Sequence, residues 1–301
     1  MKRRGIVAAL TLLSIGAALL NINFVFAEDE KAAEIAISPV STKIELVQGE
    51  LYEGKVTVAN IGSTEFDYQI ELRPFGVSGD DYTSITFEAN EYTSIVNWTT
   101  LDKTTGHLAP NENEEITFTI IVPEKALAGG QYFAIAASTI NEPVNQNGFT
   151  VNGSVASTVY ATILGDAKNS GEIRDNTIPS FYFNGPVEFK STVSNTGDIH
   201  NTATYKIEVR SAFSDDIIYS NEAEPYTHTI MPKTNRPETW TWNAPALGIF
   251  RVKQVIEYAG ETSVAESTVV ICPIWFIIAV VVIILLIVLK IVFAIRKRRD
   301  I

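Results

Sequence analysis

One sequence pattern occurs twice in this chain and constrains its fold more than any other feature. Residues 56–62 are a valine-containing run that ends in the sequence Asn-x-Gly, with the asparagine at position 60. Tyr68 follows eight residues after this asparagine. Residues 192–197 repeat this run around Asn195, with Tyr205 ten residues further on. In both copies the tyrosine opens the sequence Tyr-x-Ile-Glu-(Leu/Val)-Arg. Glycine suits a positive-φ turn position and asparagine tolerates turns, so each copy predicts strand, turn and strand.

The second half of each copy matches as well. Residues 108–110 (Leu-Ala-Pro) and 230–232 (Ile-Met-Pro) each precede a strand, a proline, and a glycine that leads into an aromatic strand. Short alternating runs between turn residues are typical of half-buried strands in a sandwich. The sequence predicts an all-β fold of two tandem Ig-like β-sandwiches, at residues 35–165 and 177–270, joined by the polar linker 165–171.

The N-terminus has the three parts of a secretory signal peptide. Three basic residues, Lys2, Arg3 and Arg4, precede the apolar run 6–20, and the chain becomes polar directly after Ala27. The apolar run is short for a bilayer span, which favours a signal peptide over residues 1–27, cleaved after Ala27, over an uncleaved anchor helix.

The C-terminus carries a longer apolar run. Sixteen uncharged apolar residues, 274–289, are followed by Lys290 and five more apolar residues. A helix over residues 274–295 would be about 33 Å long, enough to cross the hydrocarbon core of a bilayer. The basic tail 296–301 marks the cytoplasmic side and Trp275 suits the opposite interface. The sequence therefore predicts a single-pass transmembrane helix in the plasma membrane, with the ectodomain outside and the C-terminus cytoplasmic.

Charge is divided unevenly along the chain. The net charge is −12, of which the basic ends 1–27 and 290–301 contribute +3 and +4, so the stretch between them carries −19. Nucleic-acid binding needs clustered lysine and arginine, so this class of partner is excluded. The single cysteine, Cys272, excludes an internal disulfide and lies at the predicted membrane boundary, where its role is open.

No residue pattern points to catalysis. The three histidines, His107, His200 and His228, lack metal-ligand spacing, and the sequence has no nucleophile elbow or phosphate-binding glycine loop. We therefore expect no enzymatic activity, no cofactor and no metal site. The acidic pairs at residues 80–81 and 215–216 leave Ca²⁺ binding open, although surface solvation explains them more simply.

The N-terminal copy differs from the second by a longer middle segment. Thirty-four residues separate the motif arginine from Leu108, whereas 19 fill the corresponding stretch before Ile230. Loops on a rigid sandwich commonly carry binding residues, so Tyr82, Tyr92 and Trp98 of this segment are the candidate binding residues, with the ligand unknown. One more edge strand with a buried tryptophan explains the segment equally well.

Several short segments resemble a family of bacterial surface proteins. The chain has Ile-Ser-Pro-Val at residues 37–40, Val-Thr-Val-Ala-Asn at 56–60, Leu-Ala-Pro-Asn at 108–111, Pro123, and Ala-Gly-Gly-Gln-Tyr at 128–132. Together with the signal peptide, two Ig-like domains, membrane helix and basic tail, these segments resemble the WxL-interacting proteins. The resemblance implies a cell-surface binding protein whose first domain engages peptidoglycan and whose second engages a partner protein.

The predicted function is that of a membrane-anchored extracellular protein for binding, adhesion or scaffolding at the bacterial cell surface. Its partners are the membrane, crossed once, and either peptidoglycan or another surface protein. A structural stalk or accessory subunit of a membrane complex, recruited through the helix itself, is the alternative.

Overall fold

The computed structural model describes residues 34–78, 84–140, 153–214 and 216–299, and in this part of the chain the alternating runs form strands. The first eleven are β1 (Ile35–Ser38), β2 (Ser41–Leu46), β3 (Leu51–Asn60), β4 (Phe66–Pro74), β5 (Gly76–Ser78), β6 (Ser84–Thr86), β7 (Thr99–Leu101), β8 (Thr105–Leu108), β9 (Asn113–Ile121), β10 (Gly129–Ile140) and β11 (Ser154–Ile163). Nine follow: β12 (Gly171–Thr177), β13 (Phe181–Tyr182), β14 (Val187–Asn195), β15 (Asn201–Ser211), β16 (Ile217–Ser220), β17 (Tyr226–Ile230), β18 (Asn235–Trp242), β19 (Gly248–Tyr258) and β20 (Glu261–Ile271). A 3₁₀ turn (Ser94–Trp98) precedes β7, and the helix α1 (Ile274–Arg299) follows β20.

Strands β1–β11, here called the N-terminal module, form two facing sheets. The strand orders are β1-β3-β9-β7 and β2-β11-β10-β4-β8, and β5 and β6 pair as a separate hairpin. Successive side chains of a strand face opposite sides, so every second residue of the main strands faces the core, and β10 is buried on both of its faces. Val58 of β3, Ile116 of β9 and Ile135 of β10 are fully buried and belong to one apolar core between the sheets.

Strands β12–β20, here called the C-terminal module, repeat this arrangement. One sheet has the order β12-β14-β18 and the other β13-β20-β19-β15-β16, with β17 also paired to β15. Its first strand begins at Gly171, six residues before the start predicted from the sequence. This edge strand exposes Glu172 and Arg174 and carries few apolar residues, so it shows no hydrophobic alternation that sequence reasoning could detect.

The predicted fold class is confirmed: the described chain is all-β, with two sandwiches and one C-terminal apolar helix. The predicted signal peptide 1–27 and its cleavage site after Ala27 lie outside the described residues.

A buried asparagine closes the same turn in both modules. The Asn60 amide donates to the carbonyl oxygens of Thr64 and Leu108, at 2.8 and 3.1 Å, and its Oδ1 accepts from the Gly62 N–H at 3.0 Å. Asn195 makes the equivalent bonds in the C-terminal module, again with two carbonyl oxygens and one glycine N–H. Both asparagines are 1% exposed, and their side chains satisfy backbone groups that are buried or partly buried.

The repeated motif Tyr-x-Ile-Glu-(Leu/Val)-Arg has one geometry in both modules. Tyr68 and Tyr205 are fully buried and point into their respective cores. The motif glutamate and arginine face the opposite side of the strand, where they form an ion pair two residues apart, Glu71 with Arg73 and Glu208 with Arg210. The motif therefore encodes an inward aromatic anchor and an outward salt bridge on one central strand.

The two modules are joined by direct hydrogen bonds as well as by the linker. The Gly130 N–H at the start of β10 donates to the carbonyl oxygen of Asp198 at 2.8 Å. Lys43 of β2 donates to the Thr202 hydroxyl at 2.7 Å, and the Asp198 N–H donates to the carbonyl of Lys168 in the linker at 2.7 Å. These bonds hold the start of β15, and the turn before it, against β2 and the first residues of β10.

An apolar contact, here called the junction cluster, fills the space between the modules. Met231 of the C-terminal module is 5% exposed and packs with Phe75, Tyr132 and Ala134 of the N-terminal module. His200 lies beside them, with its ring centroid 5.6 Å from that of Tyr132. A methionine and a histidine of one module are thus enclosed by aromatic side chains of the other.

The modules stand end to end, and α1 begins at the far end. Strand β15 starts at the junction with Asn201 and runs to Ser211, which lies opposite Phe250 of β19. Gly248, at the start of β19, pairs with Ile271, the last residue of β20. The helix therefore leaves the C-terminal module at the end opposite to the junction.

Replacing Asn60 by alanine should destabilise the N-terminal module by about 2–4 kcal/mol, because it removes the side-chain partner of one buried carbonyl, one partly buried carbonyl and one N–H. Asn113→Ala is the matched control, since Asn113 is exposed at the start of β9 and should change the free energy of unfolding by less than about 0.5 kcal/mol. Chemical denaturation of the full-length protein in detergent measures both. Equal effects of the two substitutions would contradict the structural role of Asn60.

The pKa of His200 is lowered from 6.5 to about 4, because burial at the junction penalises the charged imidazolium and Lys43 adds repulsion. The unfolded chain then binds more protons than the folded chain between pH 6.5 and 4, so stability is complete above this window and falls as the pH drops through it. The loss is at most about 3 kcal/mol. Denaturation midpoints measured from pH 7 to 4 should fall less steeply for His200→Gln than for the unsubstituted chain; parallel curves would refute this assignment.

A candidate binding groove where the modules meet

The longer middle segment of the N-terminal module lies against the first residues of β10, near the junction. The Gln131 side chain accepts from the Ile95 N–H and donates to the carbonyl of Glu91, both at 3.1 Å. The Tyr132 N–H donates to the carbonyl of Tyr92 at 2.7 Å. Ile95 is fully buried in the sandwich core. The segment is therefore held both by this apolar side chain and by hydrogen bonds to its backbone.

The segment turns where its sequence favours a turn. The Asn90 side chain accepts from the Tyr92 N–H at 2.8 Å, and the Thr93 hydroxyl accepts from the Asn90 N–H at the same distance. Asparagine and threonine commonly close turns in this way. A 3₁₀ turn follows and ends at Trp98, and β7, an edge strand of the first sheet, begins at the next residue. The extra length therefore contains both a turn and the edge strand with a partly buried tryptophan considered above.

These elements form one side of a groove of about 550 Å³. Three parts of the chain line it: the turn segment, the loop before β10, and two acidic residues from the linker and the C-terminal module. The lining residues used below are Glu91, Tyr92, Trp98, Lys125, Leu127, Asp166 and Asp198.

The structure brings two of the three candidate binding residues to this groove. Tyr92 and Trp98 both line it, whereas Tyr82 lies outside the described residues. The Tyr92 ring lies 6.4 Å from that of Tyr132, which ties it to the junction cluster. Trp98 is partly buried against the sandwich core and presents its remaining surface to the groove.

The opposite wall comes from residues that sequence reasoning did not identify. Leu127 is 85% exposed in the loop between β9 and β10, and Asp166 and Asp198 come from the linker and from the turn before β15. An apolar residue at the tip of a loop bounded by Pro123 and Gly129 was the one available sequence signal. Asp198 lies on the other module, so only the three-dimensional contact places it here.

Three carboxylates, Glu91, Asp166 and Asp198, and one lysine, Lys125, line the groove. Lys233 lies 2.7 Å from Asp198, and together with the Lys168 N–H it lowers the pKa of that carboxyl group, which keeps Asp198 ionised. Burial, assisted by Glu91, raises the pKa of Tyr92, so its hydroxyl stays protonated at neutral pH and can donate a hydrogen bond. The groove therefore offers two aromatic surfaces, a neutral hydroxyl and carboxylate acceptors.

A second depression, of about 410 Å³, lies on the outer face of β15, β19 and β20. Its charged side chains already pair across the surface: Glu208 lies 2.7 Å from Arg210, and Lys253 lies 3.6 Å from Glu266. Exposed pairs of this kind satisfy one another and contribute little, so we regard this face as a solvated sheet surface. In the described ranges no three histidine, cysteine or acidic residues are grouped so that they could hold a metal ion.

The sequence matches no known protein family and no curated protein. Among solved structures it is similar to the class 5 fimbriae chaperone CfaA, with 12% identity and a TM-score of 0.40, over 78% of this chain and 99% of that one. It is also similar to the E. coli chaperone DraB, with 11% identity and a TM-score of 0.37, over 78% of this chain and 97% of that one. A third similar structure is the periplasmic chaperone SfaE, with 9% identity and a TM-score of 0.35, over 78% of this chain and 100% of that one. These TM-scores are too low for the likeness to carry an argument about function.

Proposed function

We propose that this protein is a membrane-anchored binding protein of the bacterial cell surface, similar in kind to the WxL-interacting proteins, and that it binds through the groove between its modules. The observation that carries the proposal is the groove itself: aromatic and carboxylate side chains from both modules meet there, at a junction held by hydrogen bonds and a buried apolar cluster.

The helix supports the anchoring part of this proposal. Residues 274–296 form a helical stretch long and apolar enough to cross a membrane, with a mean hydropathy of 3.5 and none of it buried against the rest of the structure. Basic residues follow the apolar stretch directly, which favours a cytoplasmic C-terminus with both modules outside the cell.

The composition of the helix supports an anchor over a recruiting subunit. Helices that associate within membranes use small or polar residues at their contacts. Between Ile274 and Leu289 the one small residue is Ala279, and the remainder are large aliphatic or aromatic side chains. The alternative, a stalk that assembles through its helix, therefore has less support than attachment to lipid.

The groove favours a glycan strand of peptidoglycan as ligand. Tyrosine and tryptophan present flat amphipathic faces that pack against the apolar side of a sugar ring, and carboxylates accept hydrogen bonds from its hydroxyl groups. The −19 charge of residues 28–289 opposes simple electrostatic adhesion to an anionic wall. Binding would then depend on stacking, shape and hydrogen bonds, which this groove provides.

Tyr92→Ala and Leu127→Ser should each weaken the binding of full-length protein to isolated cell wall about tenfold, since each removes a central apolar contact. Ile61→Ser is the matched control: Ile61 is 62% exposed at the opposite end of the N-terminal module and should leave binding unchanged. Co-sedimentation from detergent solution, with protein titrated against wall, measures the three affinities.

Enzymatic digestion of the wall separates the possible ligands. Cleavage of the glycan strands should abolish sedimentation of the protein, whereas prior protease treatment of the wall should not. Loss of binding after protease treatment alone would indicate a surface-protein partner, and equal binding by all variants would exclude the groove.

A further inference from the structure

The end of the C-terminal module from which α1 emerges has a very short connection to the helix. Cys272 and Pro273 alone separate the last residue of β20 from Ile274, so the Cα atoms of Ile271 and Ile274 lie within about 11 Å of each other. Strand β13 holds this connection, because the Val270 N–H donates to Ser180 at 2.8 Å and the Cys272 N–H to Tyr182 at 2.9 Å. The helix is therefore joined to the sandwich without a flexible tether.

Exposed apolar side chains surround this connection. We call them the apolar rim: Phe181, Phe183, Phe213, Ile217, Ile218 and Leu247. Their exposed fractions range from 43% for Leu247 and Ile218 to 84% for Phe213. In the described part of the C-terminal module, one further large apolar side chain is comparably exposed, Val264. Val264 lies seven residues before the end of β20, about 23 Å along the strand from the rim.

Strand pairing places the whole rim at one end of the module. Phe181 pairs with Val270, and Ile217 pairs with Arg210 at the end of β15. Leu247 directly precedes the pair formed by Gly248 and Ile271. The rim residues come from four separate segments of the chain, so their common position is a property of the fold and not of one apolar stretch.

Hydrogen bonds hold the described residues of the loop that carries Phe213. The Arg251 guanidinium donates to the carbonyl oxygens of Ser211 and Ser214, at 3.5 and 3.2 Å, and the Phe213 N–H donates to the Ser211 hydroxyl at 3.3 Å. The Ser214 hydroxyl donates to Asp216 at 2.8 Å. These bonds close the loop around polar atoms and leave the phenylalanine ring pointing away from the module.

We propose that the apolar rim docks on the outer leaflet of the membrane that α1 crosses, with its phenylalanine rings among the lipid headgroups. The inference rests on the proposed membrane anchoring of the helix. The interfacial layer of a bilayer is about 5–8 Å thick on each side, comparable with the reach of the connection between β20 and the helix. Trp275, the second helical residue, is 62% exposed and suits the same layer.

The short connection between β20 and α1 favours lipid over protein as the partner of the apolar rim. A membrane lies against this end of the module wherever α1 spans, whereas a protein partner would have to enter the gap of about 11 Å or less between sandwich and bilayer. Transfer of six apolar side chains from water to the interface is favourable in free energy. Docking of the rim would hold the module upright on the membrane.

Site-specific fluorescence of the full-length protein in liposomes tests the proposal. On a Cys272→Ser background, which removes the one native cysteine, an environment-sensitive dye is attached at Phe213→Cys, with Leu247→Cys as a second rim position. Val264→Cys is the matched control on the same module, and Ile284→Cys reports on the middle of α1. The liposomes contain phosphatidylcholine with a nitroxide either at the headgroup or within the acyl chain.

The rim dyes should be quenched several-fold more strongly by headgroup nitroxide than the dye at position 264, while the dye at position 284 is quenched by the acyl-chain nitroxide. Equal, weak quenching at positions 213, 247 and 264, with strong quenching at 284, would overturn rim docking and leave the membrane anchor intact. Absence of quenching at position 284 would overturn the anchor, and rim docking with it.

Discussion

The contact between the two modules is the constraint on which the rest of the structure depends. Met231 and His200 are enclosed by Phe75 and Tyr132, and hydrogen bonds from Gly130 and Lys43 to the C-terminal module add to the contact. Without this contact the linker would let the modules turn independently, and Asp198 would not face Tyr92. The groove therefore exists only as a product of two domains, and burial in the same contact, together with the charge of Lys43, lowers the pKa of His200.

Most of the fold could be predicted from the sequence because the two modules repeat the same local signals. Asn60 and Asn195 satisfy equivalent backbone groups, and Asn111 and Lys233, at equivalent positions, adopt positive φ values of 65° and 59°. The groove could be predicted in part. Tyr92 stood out in a long segment, but the approach of Asp198 depends on packing between distant segments, which no local pattern encodes.

The two cores are built from different chemistry despite their shared geometry. Ile116, fully buried in the N-terminal module, corresponds to Glu238, whose carboxylate lies 2.9 Å from His228. Ala137 corresponds to Gln254, which is 0% exposed and whose side-chain atoms make no hydrogen bond within the described ranges. Burying charged and amide groups costs free energy that an apolar core does not lose. The C-terminal module consequently gains less free energy from its own core than the N-terminal module does.

The position of β20 decides how this protein would respond to a pulling force. A load between the N-terminal module and α1 acts along the axis of β20, which lies between β13 and β19 and pairs with β19 over eleven residues. Force in this direction must shear many hydrogen bonds at once, whereas a force across the strand would open them one at a time. Forced unfolding is governed by the unfolding rate, and shear geometry keeps that rate low. A chain built in this way is suited to carry tension between its N-terminal module and its C-terminal helix.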